Sequence, residues 1–128
     1  MNKDFVSFNL AKKLKEKGFP QEKDWTIAMY DEDENWYSLI TTSYYIEYIF
    51  EDFDDNDFVC PTISQVLKWL REEKKRFVVI HPTGHVVQYY YTVHNLARSF
   101  DTFEYTQSFA TYEQAAIEGI EYCLDNLI

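Results

Sequence analysis

The sequence is poor in the residues that punctuate or staple a chain. It has three glycines, three prolines and two cysteines among 128 residues. So little glycine and proline excludes a collagen-like fibre and a flexible linker protein. Two cysteines are too few for a disulfide scaffold or a cysteine-rich zinc module. Three glycines leave little for a phosphate cradle, and no P-loop, G-x-G-x-x-G, G-x-S-x-G or C-x-x-C motif occurs. Positive charge is scarce too: 12 Lys and Arg stand against 22 Asp and Glu, a net charge of −10. A general nucleic-acid binder needs the opposite balance. The opening MNKDFVSF lacks a basic segment followed by an apolar run, so no signal peptide is expected. The 21 residues between Arg76 and Arg98 contain no Asp, Glu, Lys or Arg, a length that suggests a membrane span. His81, Pro82, Gly84, His85, Gln88, His94 and Asn95 interrupt them, and a hairpin fits better. The expectation is a cytoplasmic protein with reduced thiols.

Aromatic residues are what the chain has in excess: 11 Tyr, 10 Phe and 3 Trp. With 46% hydrophobic residues the chain is no disordered segment. Scaling of surface with mass has a chain of this size bury about two-thirds of its surface on folding, without metal or disulfide. Eleven tyrosine hydroxyls cannot all be buried at low cost, so many rings are expected at the core edge or on a sheet face suited to a protein interface.

The hydrophobic pattern gives the elements. Ser7 caps a first helix running to about Lys17, with Leu10, Ala11 and Leu14 as its apolar stripe. Gly18 stands where the helix must end, Phe19 covers it and Pro20 blocks continuation. Trp25, Ile27 and Met29 alternate with Thr26, Ala28 and Tyr30 as in a strand. Asp31 to Asn35 form a turn and Trp36 to Thr41 a second strand. Tyr44 to Phe50 read as a third strand, with a helix over 44–53 as the alternative. After a loop at Asp52 to Asp57, Thr62-Ile63-Ser64-Gln65 has capping-box form, and a helix follows to about Lys75 with Ile63, Val66, Leu67 and Leu70 inward. Phe77 to Ile80 read as a strand covered on both faces. Pro82-Thr83-Gly84 is a turn. His85 to His94 form a strand with Val87, Tyr89, Tyr91 and Val93 on one face and Gln88, Tyr90, Thr92 and His94 on the other. Phe103 and Tyr105 suggest a further strand. Thr111 caps a last helix, with Tyr112, Ala115, Ala116, Gly119, Ile120, Cys123 and Leu127 as its buried stripe. The order α-β-β-(β)-α-β-β-β-α with hairpin-like strand groups predicts an α+β fold, a largely antiparallel sheet packed by about three helices. No linker interrupts the chain, so a single domain over 1–128 is expected.

Charge is uneven along the chain. Residues 31–60 hold ten acidic residues and no basic one, residues 61–100 sum to +4 and residues 101–128 to −6. Charge runs commonly solvate a surface. The alternative is that carboxylates on one face imitate DNA phosphates and draw in a basic enzyme.

Few clusters suggest chemistry. Asp52, Asp54 and Asn56 match the first ligand positions of an EF-hand loop, but Asp57 replaces its glycine and Ile63 its closing glutamate, which argues for a solvated acidic loop. His81 and His85 flank the Pro82-Gly84 turn, where zinc would need a third ligand; His94 falls on the strand face opposite to His85. Asp31, Glu32, Asp33 and Glu34 are consecutive on a turn and point in different directions, unlike the converging carboxylates of a nuclease. Trp25, Trp36 and Trp69 suit core packing, Cys60 and Cys123 small buried positions, and Tyr90 and Thr92 an exposed patch. No catalytic, cofactor-binding or metal residue is assigned.

Three segments together carry a resemblance: LAKKLKEKGFP at Leu10 to Pro20, CPTISQVLKWLREEK at Cys60 to Lys74, and the ending from Tyr112-Glu113-Gln114-Ala115-Ala116 to Leu124-Asp125-Asn126-Leu127-Ile128. They resemble a family of short proteins common in Bacteroidetes genomes, their phages and mobile elements. The resemblance implies a shared fold and carries no site residue. The expected function is a non-enzymatic accessory or protein-interaction module of phage or mobile-element origin, pairing as a homodimer or with a protein partner, with no nucleic acid, membrane or cofactor. A DNA-mimic inhibitor is the alternative and a metal-dependent hydrolase the third reading.

Overall fold

The computed structural model describes residues 4–21, 28–38, 57–84, 87–97, 102–104 and 107–128. Within them the chain is α+β: three helices and two three-stranded antiparallel sheets, divided between two compact units, residues 1–62 and 63–128.

In the first unit, helix α1 spans Phe8–Glu16. The Ser7 hydroxyl accepts from the Leu10 amide at 3.3 Å and satisfies one of the orphan N–H groups of the first turn. Gly18 takes φ +93°, the left-handed conformation that ends the helix, and Phe19 N–H returns to the Leu14 carbonyl at 2.9 Å. Phe19 is buried as the expected cover. Lysines 13 and 15 sit in the last turn, where cations oppose the negative end of the helix dipole. The sheet has the order β2-β1-β3, with β1 at Ala28–Tyr30, β2 at Trp36–Ser38 and β3 at Phe58–Val59. The Asp31–Asn35 turn joins β1 to β2 as the sequence implied. The third strand lies at Phe58–Val59, next to a stretch read as loop. The segment expected as a strand at Tyr44 to Phe50 or a helix over 44–53 lies outside the described residues, as do Trp25 and Ile27. The Val59 N–H donates to the Gln21 side-chain oxygen at 2.9 Å. Val6, Leu10, Ala11, Leu14, Phe19, Met29, Tyr30, Val59 and Cys60 form the core.

In the second unit, helix α2 (Ile63–Glu73) buries Ile63, Val66, Trp69 and Leu70. Lys75 then adopts φ +56°, and the chain turns into β4 (Arg76–Pro82). Strand β5 (Tyr89–Asn95) pairs with β4 over its whole length, Arg76 opposite Asn95 and Pro82 opposite Tyr89, and β6 (Thr102–Glu104) completes the order β4-β5-β6. Helix α3 (Tyr112–Asn126) is capped by Thr111, whose hydroxyl accepts from the Gln114 amide at 3.1 Å. It packs on β4 and β5 through Ala115, Ala116, Gly119, Ile120, Cys123 and Leu124.

Three expectations need correction. Tyr112 belongs to the first helical turn and is exposed, its ring edge-on to Tyr89 at 6.2 Å; Leu124, one turn beyond Ile120, extends the buried stripe. Strand β5 begins at Tyr89, because the Thr83 N–H closes the hairpin on the Gln88 carbonyl at 3.1 Å and leaves Val87 in solvent. Strand β4 is covered on one face only. Helix α3 packs over the face that carries Val78 and buries it, while Phe77, on the other face, is exposed.

Candidate functional site: a histidine–threonine chain on the second sheet

Directly opposed residues of an antiparallel pair share a sheet face. The register therefore divides the second sheet cleanly. One face carries Val78, Tyr91 and Val93 under α3, with Gly119 against Val78 and Tyr91. The other carries Phe77 opposite His94, Val79 opposite Thr92, and His81 opposite Tyr90. On β6, Thr102 stands opposite His94 and Glu104 opposite Thr92.

The polar groups of this second face join one another. Thr92 Oγ1 lies 2.9 Å from His81 Nε2 and 3.0 Å from His94 Nε2, and Thr102 Oγ1 lies 3.2 Å from His94 Nδ1. One hydroxyl has one proton to give, so one imidazole accepts it while the other donates N–H to the same oxygen. The His81 ring stacks on Tyr90, centroids 4.8 Å apart and planes at 17°. Phe77 lies 6.5 Å from the His94 ring, and the Arg71 guanidinium sits 5.7 Å over Phe77.

Thr92, expected at an exposed patch, is buried at 8% exposure, because two imidazoles close over its short side chain. Tyr90 is half-buried against His81. His94 shares a face with Thr92 as its spacing required, and it meets His81. His85, the partner expected for His81, lies outside the described residues, as do Asp52, Asp54 and Asn56. Sequence reasoning missed the bridging role of Thr92 and Thr102. The two-residue spacing of Thr92 and His94 hinted at it, but His81 joins them only through the observed hairpin register.

A second cluster of polar groups lies buried in the first unit. The Tyr30 hydroxyl donates to the Val6 carbonyl at 2.9 Å, and Cys60 Sγ lies 3.4 Å from the same oxygen. Burial raises the Tyr30 phenol and pushes the Cys60 thiol up to about 11, although the Trp36 indole near the sulfur works in the other direction. In the second unit, burial pushes Cys123 up to about 12 against the pull of Arg76. Neither thiol is activated as a nucleophile. Trp69 is buried as expected, and Trp36 meets Phe5 edge-on at 5.3 Å.

The acidic turn has a structural use for its first residue. Asp31 Oδ1 accepts from the Asp33 and Asn35 amides, each at 2.9 Å, and Oδ2 from the Asn35 side chain at 3.0 Å and the Tyr37 hydroxyl at 3.1 Å. The Asn35 bonds hold the Asp31 carboxyl below its usual range, and the bond to Asp31 raises Tyr37. Among the described residues, no three of His, Cys, Asp and Glu converge as metal ligands, and no helix is long and apolar enough to cross a membrane. A cavity of about 210 Å³ at the end of the second sheet is lined by Arg76, Asn95, Phe103 and Tyr122 among others.

No protein-family model matches the chain, and no curated protein or solved structure is significantly similar to it.

Proposed function

We propose that this chain is a non-enzymatic accessory protein that works by protein association, and that its partner is a second copy of itself. The observation that carries the reading is strand β4. It is seven residues long and ends the β4-β5-β6 sheet, and among the described residues only β5 pairs with it. Such an edge is a template for another strand. Its sequence, RFVVIHP, contains no carboxylate, so the chain's −10 charge is not concentrated where two copies would meet. Antiparallel pairing about a twofold axis sets each Arg76 opposite the far end of the partner strand, so like charges do not face each other. The half-exposed rings of Phe77, His81 and Tyr90 border the edge and suit an interface. The resemblance of the α1, α2 and α3 segments to short Bacteroidetes proteins supports an origin in phages or mobile elements and a cytoplasmic setting.

The DNA-mimic reading has less support. Asp31 is occupied in holding its own turn, so it does not stand free as a phosphate surrogate.

Sedimentation equilibrium tests the proposal. The expected mass is twice 15.4 kDa at high micromolar concentration. Phe77→Glu, which adds like charge beside the edge, is expected to return the mass to that of one chain. A wild-type protein that stays monomeric at all concentrations refutes self-association.

A further inference from the structure

Strand β4 favours one register of self-pairing through the direction of its backbone groups and the order of its side chains. Resting on the self-association proposed above, we infer that two copies join β4 to β4 in antiparallel fashion with Val79 opposite Val79 on the twofold axis. Phe77 of each copy then meets His81 of the other.

The Leu96 N–H donates to the Lys75 carbonyl at 2.8 Å, and the Thr83 N–H to the Gln88 carbonyl at 3.1 Å. Backbone groups of successive strand residues point to alternate sides. Residues 77, 79 and 81 therefore turn theirs to β5, while Arg76, Val78, Ile80 and Pro82 turn theirs to the open edge. Proline has no N–H to give, and at an edge-facing position its missing donor costs the β4–β5 ladder nothing. A second β4 must offer its own edge-facing residues to these. That places the twofold axis at a residue and excludes registers with the axis between two residues. Apart from Val78, every residue of β4 is at least partly exposed, so a second strand can reach the edge.

Side chains choose among the central residues. With the axis at Val79 the two strands pair from end to end, Arg76 opposite Pro82. The two Arg76 positions then stand about 20 Å apart along the strands, beyond a Debye length of about 8 Å at physiological salt. Phe77 and His81 become directly opposed neighbours on the face away from α3, an aromatic pair of the kind that stabilises antiparallel strands. An axis at Val78 sets Lys75 against His81 and leaves Pro82 beyond the partner strand. An axis at Ile80 leaves Arg76 and Phe77 beyond it. His81 is prepared for the contact: Thr92 Oγ1 lies 2.9 Å from its Nε2 and the Tyr90 ring stacks on it at 4.8 Å. Its ring is fixed before a second copy arrives, so little side-chain entropy is lost on pairing.

Isotope-filtered NMR on a mixture of labelled and unlabelled full chains tests the register without any substitution. Within one chain Phe77 and His81 lie on the same face of β4, about 14 Å apart, too far for an NOE. An NOE between their ring protons across copies is expected. Disulfide trapping gives a separate reading. Mild oxidation should link Val79→Cys to its copy, because opposed Cα atoms of a non-hydrogen-bonded pair lie about 4.5 Å apart. Ile80→Cys, offset from its copy, should not link. Circular dichroism and sedimentation of each variant check folding and mass. A dimer that lacks the Phe77–His81 NOE, or that links through Ile80→Cys and not through Val79→Cys, overturns the register and leaves self-association standing. A wild-type chain that stays monomeric at all concentrations overturns both.

Discussion

Replacing Gly119 by alanine sets two opposing effects against each other inside one helix. Alanine is the better helix former by about 1 kcal/mol, so an exposed site would gain stability. Gly119 is buried in α3, however, and a Cβ there would lie 2.6 Å from Val78 Cγ1 and 3.2 Å from Tyr91 Cδ2. Val78 is a stiff, branched, buried residue on a paired strand and cannot swing away. Overpacking of this kind costs about 1–3 kcal/mol, with this contact toward the upper end. The net expectation for Gly119→Ala is a loss of about 1–2 kcal/mol, or a fall in Tm of about 3–8 °C. Urea unfolding followed by circular dichroism measures it as a lower midpoint at unchanged slope. Val78→Ala opens the space, so the double variant should be less destabilised than the two single losses combined, with a coupling of about 1 kcal/mol. A Gly119→Ala protein as stable as wild type, or more so, refutes the argument that α3 lies this close to the sheet.

Two further predictions concern backbone strain and the buried thiols. Lys75 holds φ +56°, a conformation costly for any residue with a Cβ, so Lys75→Gly should raise stability by roughly 0.5–1 kcal/mol in the same urea assay. A loss would show that the Lys75 ammonium bond to the Glu72 carbonyl outweighs the strain. The thiol pKa values fix a pH dependence. Free thiols ionise near 9, whereas Cys60 and Cys123 are held at about 11 and about 12. Above pH 9 the unfolded chain sheds protons that the folded chain keeps, so stability falls as pH rises, by up to about 1.4 kcal/mol per pH unit for each thiol. The urea midpoint should drop between pH 8 and pH 10, and less steeply in Cys60→Ala. Dithionitrobenzoate at pH 8 should label neither thiol until the chain unfolds, and rapid labelling of the folded protein would contradict their burial.

Local chemistry settled much about this protein before any fold was known. Ser7 and Thr111 cap their helices because a hydroxyl next to a helical run answers orphan amides, which depends on neighbours in sequence alone. Gly18 ends α1 because it accepts a positive φ without a steric penalty. The α+β class follows from the switch between periods near 3.6 and 2. Tertiary structure decided what depends on register and position in the sheet. Phe77 to Ile80 are apolar throughout, and only the packing of α3 on one face of the sheet decides that Val78 is buried while Phe77 lies in solvent. Thr92 looks like a surface residue until hairpin pairing brings His81, 11 positions away in sequence, to within hydrogen-bonding distance of it. A one-residue slip of that hairpin would turn His81 to the other face and dissolve the cluster. Capping and periodicity are read from adjacent residues, whereas a site made of three strands exists only once pairing has fixed which residues face one another.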